Sequence, residues 1–292
     1  MGSRLDVTKT YKLLIGGKFP RSESGRVTPV GGTEETPAAY VCRASRKDLR
    51  EAVEAAAKAQ PGWAGATSYL RGQIMYRLAE MIEGKRDELA TALAVAPGGR
   101  KKGELEREVA CAIDRVMHYA GWCDKYPQVL GCANPVAGPY HNFSVPEATG
   151  VVGVVCPDDF PVLGLVSLVA PALCAGNACV VLAGETNPVL ACVLAEALAT
   201  SDLPGGVVNV LTGLREELAP HFSSHSGIDA IHAAGLSDDE ARTLREGAAE
   251  NLKRVTIREV SGHDWLDDEV CEDPWWIEAF VEVKTIWHPS AT

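Results

Sequence analysis

The chain has 292 residues, 46% of them hydrophobic and 23% charged, with a net charge of −11. That content can bury one large core or two smaller ones, and the acidic balance excludes a protein that neutralises nucleic-acid phosphates with a basic face. No apolar run reaches the roughly 18 residues of a membrane span; the nearest, residues 151–176, is interrupted by Pro157, Asp158, Asp159 and Pro161.

The opening MGSRLDVTKTYK lacks the apolar core of a signal peptide. In YKLLIGGKF, two short apolar runs flank a Gly-Gly turn, which predicts a strand pair within the first 35 residues. Ser45 and Asp48 form a capping-box pattern that opens a helix, RKDLREAVEAAAKAQ, expected to stop at Pro61-Gly62. The stretch SYLRGQIMYRLAEMIEGKRDELATALAV has helical spacing throughout and ends at the PGGRKKG break. In the next helix, Leu105, Val109, Ile113, Val116 and Tyr119 or Ala120 form one core-facing stripe. Residues 127–148, rich in glycine and proline, predict a β-hairpin or extended arm.

From Val151 the pattern alternates. VVGVVC, ACVVL, VVNVL, IDAIHA and KRVTIREV are short β-branched runs, and a helical segment follows each of the first four. This predicts βαβ units, an α/β fold and a doubly wound, Rossmann-like parallel sheet of about five strands. Its carboxyl edge falls near Asp158-Asp159, Ala183–Thr186, Thr212-Gly213 and Ala233–Leu236, and a ligand would sit along that edge. A last strand, VEVKTIW, comes after this sheet is complete. It has no place there and is expected to pair with the hairpin near PVAGPYHNFSV.

The nine cysteines (Cys42, Cys111, Cys123, Cys132, Cys156, Cys174, Cys179, Cys192 and Cys271) are odd in number and include no C-x-x-C. They read as reduced, buried thiols of a cytoplasmic protein. His221 and His225 are four apart, a spacing that can put two metal ligands on one helix face. With no third ligand suggested nearby, they read as a solvated helix end.

YKLLIGGKF, VVGVVCPDDFPVLG, LVAPALCAGNACVVLAGETNP, LPGGVVNVLTG, GIDAIHAAG, ENLKRVTI and EVKTIW together resemble the aldehyde dehydrogenase superfamily, in its order and at its spacing, over nearly the whole length. The resemblance implies a Rossmann-type cofactor domain and an oligomerisation unit made from the hairpin and the last strand. It divides the chain into an N-terminal strand pair and helical part (1–126), the hairpin (127–148), the Rossmann-like unit (149–262), a linker in place of a catalytic domain (263–280) and an oligomerisation strand (281–292). In the family, a cysteine-bearing catalytic domain stands between the strand matching KRVTIREV and the terminal strand. Here SGHDWLDDEVCEDPWWIEAF occupies that place, and domains start near about 50 residues. Its acidic residues suit a solvated crossing, and its tryptophans suit covering apolar surface.

The motifs also depart from the catalytic pattern. Asp159 stands where the family's turn has an oxyanion-binding asparagine, and a carboxylate would repel an oxyanion. Glu185 matches the ribose-binding glutamate, but Leu182 replaces the lysine three residues before it. Gly235 is kept in the phosphate-binding turn, but Leu236 replaces the serine. Glu259 falls close to the general-base position, one residue out of register. Each lost polar contact would cost about 1–3 kcal/mol of cofactor binding. The resemblance therefore implies no catalytic residues, a vestigial cofactor site at Glu185 and Gly235, and no cofactor or only weak NAD. VVCPDDFP, NLKRV and the WHP ending resemble the C-terminal, non-catalytic module of two-module family 16 aldehyde dehydrogenases.

The expected role is oligomerisation or scaffolding, as a homodimer or beside an active aldehyde dehydrogenase module, without nucleic acid or membrane. The alternatives are an NAD-binding module without chemistry and an active NAD-dependent aldehyde dehydrogenase. For the last, Cys271 is the one thiol in the right part of the chain, among acidic residues that would raise its pKa. Cys156 reads as a buried strand-end thiol.

Overall fold

The computed structural model describes residues 7–33, 35–94 and 100–290. The PGGRKKG break lies partly outside them, as does the Met-Gly-Ser start. A small sheet opens the chain, with β1 (Thr10–Tyr11), β2 (Val27–Gly32) and β3 (Pro37–Cys42) in the order β1-β3-β2. The Gly16-Gly17 turn forms at positive φ and is closed by the Ile15–Lys18 bridge. Leu14 then pairs antiparallel with Val210, at the edge of the main sheet.

Four longer helices follow: α1 (Arg46–Gly65), α2 (Ser68–Gly84), α3 (Arg86–Leu93) and α4 (Lys102–Trp122). The Ser45–Asp48 capping box is formed. Contrary to expectation, α1 runs through Pro61. Trp63 is buried beyond the proline and its indole N–H donates to the Leu173 carbonyl at 3.0 Å, so a tertiary anchor holds the last turn. The next helical stretch is two helices rather than one. Lys85 leaves helical geometry at φ −101°, ψ 5°, and its ammonium reaches Glu88 at 2.8 Å and Glu196 of a later helix. The stripe Leu105, Val109, Ile113, Val116, Tyr119 and Ala120 on α4 is buried as expected.

A short helix, α5 (Tyr126–Leu130), takes the first part of the stretch expected to be hairpin, where Pro127 fits a first helical turn. The hairpin itself is β4 (Cys132–Asn134) and β5 (Tyr140–Ala148). The doubly wound unit comprises β6 (Val151–Val155), α6 (Pro161–Cys174), β7 (Ala178–Leu182), α7 (Pro188–Thr200), β8 (Val208–Leu211), α8 (Arg215–Ser224), β9 (Ala230–Ala234), α9 (Asp238–Ala249) and β10 (Arg254–Arg258). Its five strands are all parallel, in the order β10-β9-β6-β7-β8. β6 to β9 are buried at every position, which explains their largely apolar runs, with Asn209 and His232 as the buried polar exceptions.

Residues 262–280 do not form the solvated crossing their acidity suggested. They fold as a 3₁₀ turn (Gly262–Leu266), α10 (Asp268–Cys271) and α11 (Trp275–Glu278). Trp265, Cys271, Trp276, Ile277 and Phe280 are buried in the main core, and Trp275 is exposed. The last strand, β11 (Val281–Pro289), pairs antiparallel with β5 along its whole length, Val281 opposite Ala148 and Pro289 opposite Tyr140. The resulting sheet has the order β11-β5-β4.

Candidate functional site

In a doubly wound sheet, the ligand crevice lies beyond the carboxyl ends of the strands, where the strand order reverses. Here the order reverses at β6, between β6 and β9. The turn after β6 carries Asp158 and Asp159, the turn after β7 carries Glu185, and the turn after β9 carries Gly235. Gly235 has φ +65°, and a Cβ there would stand 2.8 Å from Pro157 Cβ, so only glycine lets the two turns meet.

The group at the centre of this crevice is Arg215, the first residue of α8, which sequence reasoning passed over. Its residue is 6% exposed. Nη2 donates to the Cys156 carbonyl at 2.9 Å and to Asp158 Oδ2 at 2.6 Å. Nη1 donates to the Gly235 carbonyl at 3.5 Å and lies 3.7 Å from Glu240 Oε1. The guanidinium thus bridges the ends of β6 and β9, the two strands that flank the reversal. Its partners are themselves fixed. Asp158 Oδ1 accepts from the Thr186 N–H at 2.9 Å, and Glu240 Oε2 accepts from the Ser237 N–H at 2.7 Å in the capping box of α9.

Glu185 is also engaged. Its Oε1 accepts from the backbone N–H of Arg215, so it caps the first turn of α8, where a carboxylate also meets the positive end of the helix dipole. Leu182 is fully buried within the apolar cluster that holds Val155, Val180 and Leu211, and Leu236 packs against the same cluster. The structure brings Glu185 and Gly235 to one crevice, but both face Arg215.

At the start of α6, the place where a Rossmann fold offers free N–H groups to a phosphate, a side chain already accepts them. Glu108 of α4, fully buried, takes the N–H groups of Val162 and Leu163 at 2.9 and 3.2 Å, and its other oxygen pairs with Arg100. Arg100 also lies over the Phe160 ring, 4.3 Å from its centroid. Phe160 itself sits in the left-handed region, at φ 46°, ψ 54°. Such a conformation costs a bulky residue about 1–3 kcal/mol and persists only where neighbours fix it. The signal in the sequence was a glutamate adjoining the apolar stripe of α4. Another is Arg115, seven residues on and on the same face, also fully buried.

Arg115 ties α4 and α6 to residues 262–280. It donates to Ser167 Oγ at 2.9 Å, to the Trp265 carbonyl at 3.4 Å, to Asp268 at 3.1 Å and to Glu272 at 3.3 Å. Cys271 lies beside it. Burial pushes the Cys271 thiol up, the Arg115 charge offsets part of this, and Asp267 and Asp268 add to it. Cys271 Sγ points to the Asp264 carbonyl at 3.6 Å. Burial likewise pushes the Cys156 thiol up. Asp159 accepts from the Gly262 N–H and so joins the turn after β6 to the 262–280 segment. Glu259 is exposed. Among the described residues, no three His, Cys, Asp or Glu side chains are grouped to hold a metal ion. His221 and His225 are therefore not part of such a group, and His225 Nδ1 accepts from the Gly227 N–H at 3.0 Å.

A dinucleotide brings two phosphates, but the cation at the strand ends, Arg215, is held by Asp158 and Glu240, Arg100 beside the start of α6 is paired with Glu108, and Glu185 adds a further carboxylate. The first turn of α6 is capped from within. The residues present do not fit an anionic cofactor.

The parallel sheet with its crevice at the strand-order reversal defines a Rossmann-type fold. The aldehyde dehydrogenase family profile matches residues 20–266, and the chain belongs to that family. It is 34% identical over 256 residues to retinal dehydrogenase 2 of Mus musculus, covering 85% of this chain and 48% of that protein. It is 31% identical over 265 residues to the mitochondrial benzaldehyde dehydrogenase of Antirrhinum majus, covering 90% and 48%. A solved aldehyde dehydrogenase from Bacillus cereus in complex with NAD+ superposes with a TM-score of 0.79 at 29% identity, covering 85% of this chain and 50% of that one. The chain spans about half the length of the relatives it matches.

Proposed function

We propose that this chain is a non-catalytic aldehyde dehydrogenase-like module that acts in oligomerisation or scaffolding, as a homodimer or beside an active aldehyde dehydrogenase module. The observation that carries the reading is the direct run from β10 to β11 through residues 259–280, whose short helices are packed into the core. Aldehyde oxidation through a thiohemiacetal needs an accessible thiolate with an oxyanion donor opposite. Cys271, the thiol in that run, is buried and held protonated, and the turn after β6 offers Asp159, a carboxylate. The resemblance of VVCPDDFP, NLKRV and the WHP ending to the C-terminal module of two-module family 16 aldehyde dehydrogenases supports this reading. The nine free cysteines, seven of them buried, suit a reducing cytoplasmic setting.

The assembly role rests on β11. It is an edge strand of nine residues whose outer side has no pairing among the described residues. Val283 and Trp287 on it are exposed, and Trp287 meets Tyr140 edge-on at 5.7 Å. A two-fold partner pairing with this edge would satisfy its free N–H and C=O groups in a closed dimer.

The test of the non-catalytic reading is an assay of common aldehydes with NAD and with NADP. No turnover above background is expected. Turnover that disappears in Cys271→Ser would overturn it. A second reading, an NAD-binding module without chemistry, draws on the presence of both Glu185 and Gly235 at the crevice, and calorimetric titration with NAD separates the two.

A further inference from the structure

We infer that Arg215 is the built-in occupant of the strand-end crevice, and that the crevice around it selects a guanidinium cation rather than a dinucleotide. The inference concerns the crevice alone and does not depend on the assembly role.

The crevice meets both terminal nitrogens of the guanidinium, while Nε of Arg215 is buried without an acceptor. Two backbone carbonyls, Cys156 O and Gly235 O, project from the ends of β6 and β9 and accept from the two terminal nitrogens of Arg215. Two carboxylates, Asp158 and Glu240, stand against those nitrogens at 2.6 and 3.7 Å. The donors of a guanidinium are set in a rigid fork, so carbonyl and carboxylate acceptors on two sides match it better than they match an ammonium. Asp158 and Glu240 are oriented by Thr186 and Ser237 through their other oxygens, so the acceptors stay aimed when the cation leaves. Leu182, Leu211 and Ala233, at or near the ends of β7, β8 and β9, are fully buried in the apolar core.

Removing the guanidinium therefore does not restore an anion site. It leaves Asp158 and Glu240 without their buried cation, in a crevice whose strand-end carbonyls also repel phosphate. Glu185 stays engaged as well, because it holds the backbone N–H of residue 215, which every non-proline substitution keeps. Arg215 is thus a positioning residue that joins the ends of β6 and β9 to the start of α8. It closes the crevice in two ways: it occupies the space, and the groups that hold it disfavour phosphate.

The experiment uses the full chain and two variants, Arg215→Ala and Arg215→Met. The methionine keeps apolar stem volume, so a folded protein remains available if the alanine variant does not accumulate. Melting midpoints are measured with and without millimolar ethylguanidinium, ethylammonium, NAD and ADP-ribose. Both variants are expected to melt below the parent. Ethylguanidinium should recover part of the loss in Arg215→Ala, whose space is open, and no such gain should appear in the parent. The smaller space left in Arg215→Met should give a weaker response, which calorimetric titration of ethylguanidinium reads directly. Ethylammonium should do less than ethylguanidinium. Adding Asp158→Asn to Arg215→Ala should abolish the recovery. NAD and ADP-ribose should shift neither variant. Stabilisation of either variant by NAD or ADP-ribose would overturn the inference, since the crevice would then be a dinucleotide site that is merely plugged. So would an ethylguanidinium response equal in parent and variants.

Discussion

Without its carboxylate, Glu108→Ala would leave the first N–H groups of α6 unsatisfied in a buried position, and the Arg100 guanidinium without its partner. Arg100 keeps some exposure and can regain water, so the loss should come mainly from the amides, at about 2–3 kcal/mol. Urea unfolding reads it as a lower midpoint at unchanged slope, and a midpoint equal to the parent's would contradict the role given to Glu108. His232 makes a second residue-scale prediction. It is buried on β9, with Nδ1 2.8 Å from the Leu168 carbonyl and Nε2 accepting from Arg258 at 3.0 Å. Burial and, less strongly, the Arg258 charge push its pKa well below the ordinary 6.5, so the folded state refuses a proton that the unfolded chain accepts. Stability from this group is therefore present above about pH 6.5 and is lost progressively as pH falls below it. His232→Gln keeps a donor and an acceptor but does not titrate. Its unfolding free energy should fall less than the parent's between one pH unit above 6.5 and one below, and an equal fall would contradict the assignment. Legibility at this scale was uneven. Glu108 and Arg115 were marked by their place beside the stripe of α4, since charges at buried helical positions must be paired. Arg215 carried no such mark, because its partners come from three turns that only the crossovers bring together.

The five parallel strands and their crossovers were readable from short apolar runs bounded by turns, and the structure has them in those places. Residues 262–280 were not readable in the same way. Elements of four or five residues show no period, and their burial is decided by distant partners, with Arg115 holding Asp268 and Glu272 while Arg258 lies 4.3 Å over Trp276. The break at Lys85 and the persistence of α1 through Pro61 are likewise tertiary effects, fixed by Glu196 and by the Trp63–Leu173 hydrogen bond. If Arg115 is the clasp of the segment, Arg115→Met should free it locally. Asp268 is exposed enough to be rehydrated, so the global loss should be modest, about 1–3 kcal/mol. The clearer readout is limited proteolysis, with faster cleavage expected within 262–280 than in the parent. An unchanged cleavage pattern would show that burial of Trp265, Trp276 and Phe280 suffices to hold it.

At the scale of the whole molecule, the parallel sheet has one side strand, β8, covered by Leu14, while the small sheet β11-β5-β4 ends in a nine-residue strand that is uncovered among the described residues. The pairing of β11 with β5 was legible because a strand placed after a completed parallel sheet has to pair elsewhere. What lies beyond β11 has no signal in one chain's pattern, since an edge solvated by water and an edge paired with a second body read alike. Truncation after Phe280 removes β11 and exposes β5, and should yield a monomer or an insoluble protein. The most direct test of the proposed assembly role is the molar mass of the full chain by light scattering at tens of micromolar. The dimer predicts twice the 31.1 kDa of the chain. A mass that stays at 31.1 kDa would contradict self-association through β11 and leave a different partner as the body that covers its edge.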